Sequence, residues 1–166
     1  MSKYTGVIIF IFILIVFSVA VIYLYSSESS INAVMPDISD SITSGDSDYN
    51  QAVDLLNGKN YDESKNKAIS AKNNFNQSII KLESIRDNLT SVDDDVHKNY
   101  INTVLSELEL KMNATDYLLD AIGCYKSYRN STGNSYAYEA NELMNQALEF
   151  QNVRNDLVKK NPDLFK

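Results

Sequence analysis

The chain has 166 residues, a net charge of −7 and one cysteine, Cys124. Acidity on this scale opposes nucleic-acid binding and flat adsorption to anionic lipid, and one cysteine permits no intramolecular disulfide. The sequence carries no Gly-rich phosphate loop, no nucleophile elbow and no Cys/His zinc set, so no catalytic residue, cofactor or resident metal is expected.

Lys3 and Tyr4 lead into Val7 to Tyr25, VIIFIFILIVFSVAVIYLY, which carries no charge. Its length matches the roughly 20 apolar residues that cross a bilayer as a helix. Tyr4, Tyr23 and Tyr25 lie at its ends, where amphipathic rings prefer the headgroup level. A cleaved signal peptide is the alternative. Its apolar core is shorter, and it wants small residues where this chain has Tyr23-Leu24-Tyr25. Lys3 precedes the run and no Lys or Arg follows until Lys59. The positive-inside rule therefore places residues 1–6 in the cytoplasm and the rest of the chain outside.

Residues 26–47 read as a flexible acidic linker, polar and small-residue rich, with Pro36 and Gly45 as breakers. Ile31, Val34, Ile38 and Ile42 are scattered through it and would form at most a short amphipathic turn. Asp46-Ser-Asp48-Tyr-Asn50 opens like a calcium loop, but Gln51 replaces its glycine and no glutamate closes it at Asn57. Asp46, Ser47 or Asp48 is instead expected to cap a short helix over 48–56, ended by Asn57-Gly58.

Three longer helices should follow. The second spans about 61–89, with Tyr61, Ala68, Phe75, Leu82 and Leu89 at heptad spacing, as in a coiled coil or long antiparallel bundle. Ser64 and Ser78 near that seam imply close packing. The third is capped by Thr90 or Ser91 and runs to about Tyr128 through Ile101, Val104, Leu105, Leu108, Met112, Thr115, Leu118, Leu119, Ile122 and Tyr125. Asp93, Asp94 and Asp95 complement its dipole, and Gly123 is a candidate bend. Asn130 to Asn134 reads as a turn. The fourth helix spans about 135–160, with Tyr136, Leu143, Phe150 and Leu157 as its seam. On this reading an aspartate at Phe75 or at Phe150 would unfold the bundle. Gly58-x-x-Tyr61 and Gly133-x-x-Tyr136 suggest a degenerate helix-hairpin repeat.

Few residues stand out chemically. His97 is the single histidine and reads as exposed; Cys124 reads as a small buried hydrophobe. Tyr125, Tyr128, Tyr136 and Tyr138 bracket the tip between the last two helices and form a candidate interaction surface. Sequons occur at Asn76, Asn88, Asn113 and Asn130. Asn88 and Asn130, near turns, are the better glycosylation candidates.

The MSKY leader, the Ile/Phe/Val-rich span, the Ser/Asp stretch and the Asn/Lys/Asp-rich helices resemble, in style, membrane-anchored helical proteins of methanogenic archaea. That resemblance implies an envelope protein facing outward and supplies no activity. The hairpin from Tyr49 to Leu89 is loosely similar to tetratricopeptide-type packing, without the 34-residue period. The expected architecture is all-α: a single-pass anchor at 7–25, the linker at 26–47, and an extracytoplasmic antiparallel bundle over 48–166 of one short and three long helices. The expected function is a membrane-tethered, non-enzymatic interaction or scaffold module that binds a protein partner or self-associates. A ligand-sensing bundle working through a membrane partner is the alternative.

Overall fold

The computed structural model describes residues 30–87 and 94–165. Four α-helices make up nearly all of them: α1 (Ser30–Asn57), α2 (Tyr61–Asp87), α3 (Asp94–Lys126) and α4 (Asn130–Lys160). The apolar run 7–25 and the expected caps Thr90 and Ser91 lie outside the described residues. Among the described residues no helix is long and apolar enough to cross a membrane.

The helical bundle expected from the sequence is present, but all four helices are long. Residues 30–47, read as linker, are the first part of α1, which runs unbroken through Pro36 and Gly45. A proline inside a helix costs about 3 kcal/mol and a glycine about 1 kcal/mol. Against that, α1 buries Ile38, Ile42, Tyr49, Ala52, Val53 and Leu56 on one stripe. Full burial of each large apolar side chain contributes roughly 1.5–3 kcal/mol, so packing outweighs propensity. Pro36 is on the exposed face. Gly45 has a direct packing reason: a Cβ there would lie 2.5 Å from the Phe75 ring of α2. Asp46 is likewise no cap; it is buried in mid-helix.

Helices pack in chain order, α1 on α2, α2 on α3, α3 on α4, with a narrow α1–α3 contact. Neighbours run antiparallel. Between α2 and α3 this is fixed by the ion pairs Lys126–Asp62 and Lys72–Asp116. The α1–α2 and α3–α4 turns therefore lie at one end of the bundle. The start of α1 and the end of α4 lie at the other.

The two turns are built alike. Lys59 and Tyr128 each take a left-handed conformation, φ 61° and 59°. The N–H of Gly58 donates to the Asp54 carbonyl and that of Asn60 to Leu55; equivalently, Ser127 donates to Gly123 and Arg129 to Cys124. The offset is 69 residues, and it extends along the helices. Ser64, Ala68, Ala71, Phe75 and Ser78 of α2 correspond to Gly133, Ala137, Ala140, Met144 and Ala147 of α4, all of them buried. Ala52 and Val53 correspond to Ala121 and Ile122, also buried. The chain is thus two helix hairpins of one design. The glycine-tyrosine pairing suggested by the sequence is out of register, since Gly58 matches Ser127 and Gly133 matches Ser64.

Small residues on the inner faces let the backbones approach closely. Ser64 Oγ donates to the Ala52 carbonyl at 2.6 Å. α4 starts earlier than expected, at Asn130, and the five residues read as a turn form its first turn and a little more. Its buried face is Gly133, Ala137, Ala140, Met144, Ala147 and Arg154. The larger seam residues flank that face: Tyr136, Leu143 and Leu157 are half-buried and Phe150 is 36% exposed. The sequence seam favoured bulk, whereas close α3–α4 packing favours small side chains. Gly123 lies on an exposed face of an uninterrupted α3. After α4, Phe165 folds back beneath the start of α3, against His97 and Tyr100, and His97 Nε2 lies 3.2 Å from the Leu164 carbonyl.

Candidate functional site

Two features have more chemistry than ordinary core packing. The first is a run of four charges buried across the middle of the bundle. Lys111 of α3 donates to Asp46 of α1 at 2.8–2.9 Å and pairs with Glu107, one turn earlier, at 2.9 Å. Arg154 of α4 approaches the other Glu107 oxygen at 3.3 Å. No side chain in the run is more than 8% exposed. The Lys111 ammonium also sits 5.8 Å from the centroid of the Phe75 ring, within cation–π range. Two carboxylates and two cations sum to zero.

Burial pulls the Lys111 ammonium down, but attraction to Asp46 and then Glu107 more than offsets it and holds the group above its ordinary range. Burial pushes the Asp46 carboxyl up, only partly opposed by Lys111. Arg154 is an ionic neighbour of Glu107 Oε2 rather than an aligned donor, and that oxygen has no protein hydrogen bond. The Tyr49 hydroxyl is likewise buried without a partner, and burial pushes its phenol up. Each carboxylate in the run is turned toward a cation. Among the described residues no three His, Cys, Asp or Glu side chains gather as a metal site.

The second feature is the turn end. The four tyrosines expected to form a surface there do different work. Tyr125 is half-buried, lies over Gly133 and donates its hydroxyl to Asn134 Oδ1. Tyr136 is half-buried and tilts against Tyr117 of α3, with ring centroids 6.0 Å apart. Tyr128, at the left-handed turn position, is 91% exposed, and Tyr138 is 62% exposed. Two of the four therefore present themselves to solvent, while Tyr125 is tied to the first turn of α4 and Tyr136 packs against α3. Asn130 is exposed at the first position of α4, while Asn88 lies outside the described residues. Asn76 and Asn113 are exposed on α2 and α3. Cys124 is buried and unbonded, and His97 is half-buried under the C-terminal segment rather than exposed.

Sequence reasoning missed the buried charges. A signal was present: Glu107 and Lys111 are four residues apart inside the apolar stripe of α3, between Val104, Leu108 and Thr115. Like charged residues on many helix faces, they could have been solvated. Only the placement of Asp46 and Arg154 shows that they are not. No protein-family model, no curated protein and no solved structure matches the chain.

Proposed function

We propose that the protein is a membrane-tethered helical interaction module without enzymatic activity, and that it presents its turn end to a protein partner. In this reading residues 7–25 hold it in the bilayer, residues 1–6 face the cytoplasm and the bundle stands outside. The observation that carries it is positional. α1 begins at Ser30, with four residues between it and the apolar run, at the end opposite the turns. A 28-residue helix is about 42 Å long, so a tether at 7–25 would leave Tyr128 and Tyr138 on the membrane-distal side. An exposed tyrosine offers a rigid apolar body with a polar tip, the kind of side chain enriched at recognition surfaces. The outer positions of α1, including Asp37, Asp40, Ser44, Ser47, Gln51 and Asp54, are polar, which favours the turn end over that helix as the contact.

The test combines topology with contact. In a Cys124→Ser background, Tyr128→Cys should react with a membrane-impermeant maleimide on intact cells; reaction only after lysis would overturn the outward orientation. A photo-crosslinking residue at position 128 should give one discrete adduct in membranes, and the same residue at position 40 should not. Equal adducts at both positions, or none at 128, would overturn the assignment of the turn end.

A further inference from the structure

The 69-residue correspondence gives the buried charges a second meaning. Glu107, Lys111 and Arg154 of the second hairpin stand where the first has Ile38, Ile42 and Ile85. Asp46 stands where the second has Thr115. All eight positions are buried. One hairpin thus has an apolar cluster at the level where the other has an ionic run, on otherwise similar faces of small residues.

We infer that this substitution is a pairing device, which makes two hairpins of one design non-interchangeable. Hairpins that share a turn and an inner face invite exchange: α1–α2 of one chain could seat on α3–α4 of another, or slide along it. Isoleucines at 107, 111 and 154 would accept any of these seatings. Charges do not. From the first hairpin Lys111 receives its opposite charge from Asp46 and is faced by the uncharged Phe75 ring. Another register leaves a buried ion without its partner, which is strongly disfavoured, whereas replacing a whole buried ionic set by apolar residues is often tolerated. A single buried polar residue sets register and oligomeric state in coiled coils by the same means.

The test exchanges the four residues for their counterparts in the other hairpin: Asp46→Thr, Glu107→Ile, Lys111→Ile and Arg154→Ile, in the full chain in detergent. Both this variant and the parent carry Cys124→Ser with Lys72→Cys and Asp116→Cys, positions that touch across α2 and α3, and are treated with a short bis-maleimide. The parent should link almost wholly within one chain. The exchanged variant should stay helical by circular dichroism while its between-chain product rises roughly tenfold at equal concentration. A helical variant that links within the chain as the parent does would overturn the inference. A variant that loses its helices would also overturn it, since the charges would then be needed for folding itself.

Discussion

Gly45 offers a test in which two opposing effects have calculable sizes. In an exposed helix interior, Gly→Ala gains up to about 1 kcal/mol, because alanine loses less backbone entropy on folding. At Gly45 the new methyl would lie 2.5 Å from one Phe75 ring carbon and 2.7 Å from the next. That ring is fully buried, with Lys111 near it, so it cannot swing into solvent. Overpacking of this kind costs typically 1–3 kcal/mol. Gly45→Ala should therefore destabilise the protein by about 1 kcal/mol net, and Gly45→Ala/Phe75→Leu should recover part of that loss. Gly123 is the matched control, with nothing within 4 Å of its added Cβ; Gly123→Ala should stabilise by roughly 0.5–1 kcal/mol. Urea titration followed by circular dichroism, with all variants compared at constant slope, reads both signs. If Gly45→Ala raises the midpoint as Gly123→Ala does, the close α1–α2 approach over Phe75 is wrong.

Three further outcomes follow from the same packing. Lys111→Ala should cost about 3–5 kcal/mol because it leaves Asp46 buried without its cation and Glu107 with Arg154 alone, whereas Lys72→Ala should cost less than about 1 kcal/mol because its pair with Asp116 is solvated; equal losses in urea titrations would remove the distinction. Phe75→Ala should cost about 3–5 kcal/mol, and Phe75→Asp should unfold the bundle, while Phe150→Asp on the flank of α4 should leave the helical signal and its cooperative melt in place. Stability should fall as pH rises above about 10: Lys111, Tyr49 and Tyr100 all hold their protons above their ordinary values in the fold, so the folded chain binds more protons than the unfolded chain there, and the stability linked to that difference is present at lower pH and lost through the folded-state range. A urea midpoint unchanged between pH 8 and pH 11 would contradict those burials.

α2 shows how far periodicity reaches. Its heptads of Ala68, Phe75 and Leu82, with Ser64 and Ser78 at close contacts, were legible because the repeat of side-chain size along one helix reports directly which face is buried. α4 shows the limit. Its large residues form a heptad as regular as that of α2, but the face against α3 is the neighbouring row of Gly133, Ala137, Ala140 and Ala147. Periodicity locates a stripe; it does not say whether bulk or close approach wins at the contact. At the turn end the tyrosine cluster was visible, but the separation of Tyr125 and Tyr136 from Tyr128 and Tyr138 depended on where the turn falls.

What the sequence determined alone is local in origin: the all-helical class, the approximate extents of α2 and α3, the turn between α1 and α2 and the uncharged run at 7–25. Each depends on neighbours within a few turns of helix. What only the tertiary structure decided is whatever depends on residues far apart in the chain. Pro36 and Gly45 read as breakers until a partner helix supplied the burial that outweighs them and the ring that requires a glycine. Asp46 read as a cap until Lys111, 65 positions away, came within hydrogen-bonding distance. The 69-residue repeat was hidden because its matched positions share burial more than residue type, with identity confined to a few alanines such as Ala52/Ala121, Ala68/Ala137 and Ala71/Ala140, and burial becomes comparable only when both hairpins are folded.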